Sequence, residues 1–363
     1  MGKGGRMKIL FLPNWKIEYC ERTPTDKQPP DYYVNGNDYW FFRYFEGNPQ
    51  VDVIDVSSFS WLENFERKGM RFYIWQALKA IPKLNKYDFV ISHGMQSGVV
   101  VSLWRRFFKT RAKHIVFEIG SFNSASESGA ALKLMQFASK SIDGIIYHTS
   151  RQKDYYAKCF PWIIDRSRFI RFGTDSEFFN CHRNTEMTFD DIDSSPYCIC
   201  VGYSKRDWDT VVKAFELSGV NDLKLRLIGH VEDRYSGNPL IQQMPYVPVN
   251  ELVSNIEGAK FAILPLKSFN YSYGQMTLLQ QMALGKCVIA SRVPSLVDYG
   301  TDRENIVFYD PENTEDLAKK IKLVNSDSEF RLEIGARAAD FVMNECNEKT
   351  MAREIEDFIN ENT

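Results

Sequence analysis

Short apolar runs alternate with helix-length amphipathic segments along most of the chain. The runs of the first half are rich in β-branched or aromatic residues. They lie at residues 8–12, 51–56, 89–93, 114–119, 144–149 and 168–172. Helical patterns such as 71–80 and 97–108 lie between them. Strands that alternate with helices favour a parallel sheet with helices on both faces.

The alternation stops between residues 173 and 196 and then resumes. The interrupted stretch contains Gly173, Pro196 and several Asp and Ser residues, which is typical of a linker. The later apolar runs lie at 197–202, 223–229, 260–266, 286–291 and 305–309. The later helical patterns lie at 207–217, 250–257, 276–284, 314–325, 327–344 and 347–361. The pattern therefore predicts two Rossmann-like α/β domains, which bind ligands beyond the carboxyl ends of their strands.

Size, charge and cysteine usage narrow the classes of protein that fit this pattern. The chain has 363 residues, which suits two domains of roughly 180 residues each. A formal net charge of -2 gives no support to nucleic-acid binding. The seven cysteines form no C-x-x-C pair, so we expect reduced thiols and a cytoplasmic location. The sequence contains no run of about 18 apolar residues, so it predicts no membrane span.

The most informative stretch covers residues 271–290. A polar loop with Gly274 leads into an amphipathic helix, Gly285 ends that helix, and an apolar strand follows. The first N–H groups of such a helix have no intrahelical acceptor, and together with the helix dipole they form an anion site. Those groups belong to Gln275, Met276 and Thr277. An ordinary strand–helix unit with a glycine turn has the same pattern, so this feature alone leaves both interpretations open.

The residues of this stretch resemble the donor-binding segment of a large family of retaining GT-B glycosyltransferases. That family is glycosyltransferase family 4-like and includes sucrose synthases and bacterial mannosyltransferases. The matching positions are Leu278, Leu279, Met282, Ala283, Gly285, Lys286, Val288, Ile289 and Ala290. The stretches 197–215 and 305–321 are similar to further parts of the family's donor domain, and 172–179 is similar to its entry into the linker. The first half matches only in layout.

The resemblance implies a GT-B fold, in which two Rossmann-like domains face each other across a cleft. We expect an acceptor domain at 7–175, a donor domain at 195–330 and final helices at 331–363 that pack back toward the first domain. The implied enzyme is a hexosyltransferase that uses a nucleotide-diphosphate sugar and retains anomeric configuration. Its implied acceptor is a glycan or a lipid-linked sugar in cell-envelope or polysaccharide biosynthesis. Two alternatives stay open: a nucleotide-sugar 2-epimerase, and a catalytically silent subunit that binds a nucleotide sugar or a partner enzyme.

Two positions depart from the family pattern and motivate the silent alternative. The family has two glutamates that flank seven residues, and the aligned positions here are Ser272 and Gln280. Gln280 keeps hydrogen-bonding capacity without charge, whereas Ser272 is too short to replace a glutamate. We expect Tyr273 to contact the sugar instead, through its ring or its hydroxyl.

The predicted phosphate loop covers residues 202–206 and is about two residues shorter than in the family. The resemblance places Arg206 at the family's lysine and Tyr203 nearest its arginine, and Lys205 adds charge. A guanidinium can contact a diphosphate through its planar fork. The alternative is a solvated basic turn before a helix. The predicted donor site comprises Tyr203, Lys205, Arg206, Ser272, Tyr273, Gly274, Gln275, Met276, Thr277 and Gln280.

Two D-x-D patterns raise the question of a metal-dependent diphosphate site. The first, residues 191–193, lies in the linker, and the second, residues 207–209, opens a helix. Aspartate is favoured at that position as a cap. We therefore predict no metal cofactor.

Two polar residues end predicted strands of the first half and are candidates for catalysis. Glu118 follows the fourth run, where a carboxylate could act as a base or stabilise an oxocarbenium-like sugar. His93 ends the third run. Structural roles for both residues stay open, and Arg206 completes the predicted catalytic set.

The segment 103–113 mixes aromatic residues with five cations. It fits a helix end with a basic face whose aromatic residues belong to the core. It also fits a peripheral docking patch for the anionic cytoplasmic face of a membrane. Both interpretations stay open at this point.

Overall fold

The computed structural model describes residues 6–24, 26–34, 39–119, 126–183 and 196–362. Its contacts divide the chain into two compact units. The first unit comprises Met1–Arg171, Asn270–Ser272 and Met351–Thr363, and the second comprises Phe172–Phe269 and Tyr273–Thr350. No helix within the described ranges is long and apolar enough to cross a membrane.

The first unit contains a parallel sheet with the strand order β4-β1-β5-β6-β7-β8. Its strands are β1 (Lys8–Leu12), β4 (Gln50–Val53), β5 (Phe89–His93), β6 (Lys113–Phe117), β7 (Gly144–Tyr147) and β8 (Ser167–Phe169). A separate parallel pair consists of β2 (Glu18–Cys20) and β3 (Tyr32–Val34). The main helices are α1 (Ser60–Asn64), α2 (Ile74–Ala80), α3 (Met95–Phe107), α4 (Ala130–Ser139) and α5 (Gln152–Cys159). The central strands are buried on both faces because helices cover the sheet.

The second unit has a parallel sheet with the order β11-β10-β9-β12-β13-β14. Its strands are β9 (Tyr197–Val201), β10 (Lys224–Ile228), β11 (Ile241–Met244), β12 (Ala262–Leu264), β13 (Val288–Ser291) and β14 (Val307–Tyr309). Its helices are α6 (Ser176–Cys181), α7 (Trp208–Ser218), α8 (Val249–Glu257), α9 (Gln275–Ala283), α10 (Thr314–Ser326) and α11 (Ser328–Glu345). The prediction of two Rossmann-like α/β bodies is therefore confirmed.

The core of the second unit follows from the period of two along its strands. Ile199 and Val201 belong to the apolar cluster on one face of the sheet, while Cys198 and Cys200 belong to the cluster on the other. β11 escaped prediction because its sequence IQQM has only two apolar residues. It is an edge strand with three half-buried residues, so it does not need a continuous apolar run.

The last helix, α12 (Glu348–Glu361), contributes most of its length to the first unit. The carboxylate of Glu356 accepts hydrogen bonds from the backbone N–H groups of Glu46 (2.7 Å) and Gly47 (2.8 Å). α11, by contrast, belongs to the second unit. The predicted domain ranges stay predictions, and the structure adds this division between the two terminal helices.

Candidate functional site

The loop after β9 is built around the side chain of Arg206. Its Nε donates to the carbonyl of Val201 (2.9 Å), and its Nη1 donates to the carbonyl of Ser204 (3.1 Å). Its Nη2 donates to Oγ1 of Thr277 (3.0 Å), in the first turn of α9. Gly202 is required beneath the guanidinium, because a Cβ there would lie 2.3 Å from Arg206 Nε. The fold therefore places a cation against the N-terminal turn of a helix.

The N-terminus of α9 has the backbone geometry that the sequence predicted. Gly274 is the N-cap residue in the left-handed conformation (φ 82°), and an added Cβ would lie 2.5 Å from Leu266 Cδ1. The first hydrogen bond of the helix runs from Leu278 N to Gly274 O (3.0 Å). The preceding N–H groups of α9 carry the positive end of the helix dipole. Arg206 and this helix end together favour an anion.

Burial and side-chain contacts give the residues of this helix different roles. The Gln275 side chain is buried and donates to the carbonyl of Ser295 (3.0 Å), so only its backbone can serve an anion. Met276 is exposed. Thr277 and Gln280, three residues apart, share one face of α9, and Thr277 already contacts Arg206 on that face.

The predicted loop residues Tyr203 and Lys205 lie at the surface of the unit. The exposed ring of Tyr203 packs on that of Tyr246, with centroids 5.3 Å apart. The ammonium of Lys205 lies over the ring of Phe269, 4.7 Å from its centroid. The sequence prediction missed Tyr246. The available signal was an aromatic residue two positions after the end of a strand, here β11.

Tyr273 is more embedded in its loop than its predicted sugar contact requires. Its hydroxyl donates to the backbone carbonyl of Lys267, and its ring packs edge-on against Phe269 at 5.6 Å. The half-buried ring also packs on the apolar core of the second unit. Its role in sugar contact stays a prediction, and the structure gives it a role in holding the loop.

A second set of candidate residues lies in the first unit, at the end of β6. Glu118 has φ +61°, a left-handed conformation that is uncommon outside glycine. Its Oε1 is shielded from solvent and accepts no hydrogen bond from the described residues. Burial raises the pKa of Glu118 to about 7, and hydrogen bonds from Ser272 and the backbone of His148 limit that rise. This carboxyl group can therefore gain or lose a proton near neutral pH.

Ser272 belongs with Glu118 in the structure. The segment Asn270–Ser272 is part of the first unit, and Ser272 hydrogen-bonds Glu118 through both its side chain and its backbone. The sequence grouped Ser272 with the donor-binding residues because it aligns with a family glutamate. No sequence signal links positions 118 and 272, since 153 residues lie between them along the chain.

Two histidines beside Glu118 stay neutral at physiological pH. The His93 ring lies among aromatic rings, with its centroid 4.7 Å from that of Trp15 and 5.7 Å from that of Phe117. Burial, together with the proximity of His148, lowers the pKa of His93 to about 3. Burial also lowers the pKa of His148 to about 4, although its Nδ1 donates to the carbonyl of Ile170 (2.8 Å). The His93 ring is therefore not an imidazolium at neutral pH, so it cannot act as a general acid there.

The described D-x-D pattern has a structural role. Asp207 caps α7 by accepting from Thr210 N (3.3 Å), which confirms the predicted cap. Asp209 accepts from the Tyr235 hydroxyl (2.8 Å) and pairs with Arg234 (2.8 Å). The other pattern, residues 191–193, lies outside the described residues. Within the part of the chain that is described, no group of three or more His, Cys, Asp or Glu residues could hold a metal ion.

Two kinds of comparison connect the chain with known proteins. A family model matches one domain, and solved structures share the fold. Residues 201–341 match the family model of glycosyl transferases group 1, a stretch that includes the Arg206 loop and all of α9. Among curated protein sequences, none is a significant match to the chain.

Several solved structures share the fold over nearly the whole chain at low sequence identity. Sucrose-phosphate synthase from Thermosynechococcus elongatus matches with a TM-score of 0.69 at 16% identity, covering 98% of this chain and 99% of that one. HepE from Anabaena matches with a TM-score of 0.68 at 11% identity, covering 98% and 100%. A glycosyltransferase from Rickettsia africae matches with a TM-score of 0.68 at 15% identity, covering 98% of each chain. At these identities the likeness establishes the fold.

The chain therefore has the GT-B fold. Residues 201–341 carry a domain of the glycosyl transferases group 1 family, which confirms the predicted resemblance for that part of the chain. Membership of the retaining, family 4-like subgroup stays a prediction.

Proposed function

We propose that the protein transfers a hexose from a nucleotide-diphosphate sugar and that the donor diphosphate binds at the N-terminus of α9. One observation carries the proposal: Arg206 is anchored to Thr277 in the first turn of that helix. A guanidinium and the N–H groups of a helix's first turn are the donors that a diphosphate needs. The HepE structures contain UDP, UDP with glucose, or UDP-glucose, which supports a donor of this class.

In this proposal the second unit accelerates the loss of the nucleoside diphosphate. As the bond between the sugar and the diphosphate breaks, negative charge grows on the leaving oxygen. Arg206 and the N–H groups of Met276 and Thr277 are fixed before the reaction, so they stabilise that charge without reorganising. Because the contact strengthens in the transition state, it raises the rate as well as the affinity.

The first unit supplies Glu118 as the catalytic carboxylate in this proposal. A carboxyl group with a pKa of about 7 is well matched to proton transfer at neutral pH. Its ionised form accepts the proton that leaves the acceptor hydroxyl, and that oxygen forms the new bond to the sugar. His93 stays neutral and positions neighbouring groups through its aromatic contacts.

We further propose retention of anomeric configuration and a glycan or lipid-linked acceptor in cell-envelope or polysaccharide biosynthesis, on the cytoplasmic side. The resemblance to retaining enzymes at residues 278–290 supports this part. The replacement of both family glutamates makes the stereochemical outcome the first property to measure once a donor is found.

The decisive experiment is a donor screen followed by turnover. Calorimetry and thermal unfolding with UDP-, GDP-, dTDP- and CMP-sugars, in chelator and without metal, should identify one stabilising nucleoside diphosphate. A ligand at 100 times its Kd should add about 2.7 kcal/mol to the free energy of unfolding. Binding that requires Mg²⁺ or Mn²⁺ would contradict the proposed phosphate site.

Product analysis then separates the proposal from its alternatives. Transfer to an acceptor with release of the nucleoside diphosphate supports a glycosyltransferase. An epimerised sugar would indicate a 2-epimerase. Tight binding with no turnover across donor and acceptor pairs would instead indicate a catalytically silent subunit.

A further inference from the structure

The first unit exposes a group of aromatic side chains where the end of α3 meets α4. The exposed fractions are 37% for Trp104, 73% for Phe107, 51% for Phe108 and 42% for Phe137. Single exposed apolar residues are normal, but four large rings at one place are unusual for a soluble surface. The interpretation of the segment 103–113 as core is therefore wrong for these rings.

The rings pack in two pairs, which adjoin at the consecutive residues Phe107 and Phe108. Trp104 and Phe108 stack with centroids 4.0 Å apart, and Phe107 lies against Phe137 of α4 at 6.1 Å. The guanidinium of Arg106 lies over the Phe137 ring, 5.0 Å from its centroid. These contacts connect two helices, so the surface is a feature of the folded unit rather than of one segment.

Exposed cations surround these rings without any carboxylate nearby in sequence. Arg106 and Lys109 flank Phe107 and Phe108, and Lys133 lies one helical turn before Phe137. The segments 103–113 and 130–140 contain seven Lys or Arg residues and no Asp or Glu, although the whole chain has a net charge of -2. We call the four rings with Arg106, Lys109 and Lys133 the aromatic–cation face.

Two neighbouring arginines do not belong to this face. Arg105 donates to Thr110 (3.0 Å), to the carbonyl of Ser141 (2.8 Å) and to Asp143 (2.8 Å), so it holds the unit together. Arg111 pairs with Asp88 at 2.9 Å. Lys113 donates to the carbonyl of Asn362, and the ammonium of Lys140 lies over the ring of Trp162. Arg106, Lys109 and Lys133 are therefore the cations that we assign to the aromatic–cation face.

We propose that the aromatic–cation face docks the protein onto a lipid bilayer that contains anionic phospholipid. Aromatic rings enter the boundary between headgroups and acyl chains, and the cations contact lipid phosphates. Aromatic residues and arginine are also common at protein interfaces, but lysine is depleted there, so Lys109 and Lys133 favour an anionic bilayer over a protein partner. The proposal is independent of glycosyl transfer, since none of these residues belongs to the candidate sites above.

The test is co-sedimentation of the full chain with vesicles of phosphatidylcholine, with and without phosphatidylglycerol. The parent should bind only the anionic vesicles and should be released as salt rises, because exposed charges are screened beyond about 10 Å at 0.1 M. Replacing Arg106, Lys109 and Lys133 together by Gln should weaken binding about 100-fold, at roughly fivefold per cation. Phe107→Ser with Phe137→Ser should also remove binding, and neither set should change the unfolding temperature by much because these side chains are exposed.

Matched controls come from the second unit. Lys319→Gln with Lys322→Gln removes exposed cations, and Leu332→Ser removes an apolar side chain that is 55% exposed. Both controls should bind vesicles like the parent. Equal binding of parent and charge variant, or no binding of either, would overturn the proposal. A parent dimer in light scattering that Phe107→Ser dissociates, without vesicle binding, would show that the face joins two copies of the chain and would equally overturn it.

Discussion

The end of β9 in the second unit and the end of β6 in the first both carry candidate chemistry at the carboxyl end of a parallel strand, but the groups there differ in charge. In the second unit, the guanidinium of Arg206 contacts the first turn of α9 and stays cationic, although burial lowers its pKa. In the first unit, enclosure favours the neutral forms of Glu118, His93 and His148. The carboxyl ends of parallel strands thus position the candidate residues, and the groups around each residue set its protonation state.

The local backbone explains part of this difference. After β9, Gly202 leaves the space that the Arg206 side chain occupies, so the guanidinium folds back onto its own loop. After β6, Glu118 takes a left-handed conformation that directs its carboxyl group into an enclosed position. Strained residues of this kind are frequent at functional sites. The comparison predicts that activity at the Glu118 site depends on pH, whereas activity at the Arg206 site depends on the presence of the positive charge.

The largest expected effect is that of Glu118→Gln on turnover. Loss of a general base should lower the rate about 10²- to 10⁴-fold while nucleotide binding stays unchanged. The parent rate should rise as pH passes through about 7, where Glu118 ionises, and the variant should lack that rise. Glu127→Gln, which removes an exposed carboxylate of the same unit, is the control and should behave like the parent. A rate within threefold of the parent would assign Glu118 a structural role.

Arg206→Ala should reduce transfer about 10²- to 10³-fold, which corresponds to about 2.7–4 kcal/mol in the barrier. Steady-state kinetics with a saturating donor would measure it. Arg206→Lys should recover part of the rate, because it restores the charge without the planar fork. Lys205→Ala tests the neighbouring exposed cation and should have a small effect. Unchanged kinetics for Arg206→Ala would place this residue on an ordinary basic turn.

Glu118→Gln should also stabilise the fold at alkaline pH. Because the pKa of Glu118 is raised from 4.5 to about 7, the folded state holds a proton that the unfolded state has released between these values. The parent therefore loses stability as pH rises through this window, and at pH 8 the variant should be more stable by on the order of 1–3 kcal/mol. At pH 4 both forms are neutral and the difference should vanish. Urea unfolding at both pH values would show it, and an advantage that persists at pH 4 would contradict the assignment.

The smallest effect should follow from Asp207→Ala. Loss of the α7 cap should lower the free energy of unfolding by about 1 kcal/mol, and Asp207→Ser should restore most of it. Nucleotide affinity in chelator should be the same for both variants and the parent. A variant that loses affinity only when Mg²⁺ is present would revive the metal interpretation of this pattern.

Much of the second unit was predictable because its signals are local. Apolar runs and glycines at 274 and 285 specify β12, α9 and β13, and the Arg206 loop follows directly from its position after β9. The resemblance at 278–290 added an expected function, donor binding, which the hydrophobic pattern alone does not indicate. The family model matches the same unit, since its pattern is carried by contiguous residues.

The sequence by itself determined the two α/β bodies, their parallel strands and the glycine-led start of α9, where we predict anion binding, because hydrophobic periodicity and helix ends are properties of neighbouring residues. Only the tertiary structure decided which distant groups meet. It joined Ser272 to Glu118, turned Arg105 inward to Asp143 and left Phe107 exposed. These outcomes depend on burial and on contacts between residues far apart in the chain. A pKa near 7 for a carboxyl group arises from that enclosure and is encoded at no single position.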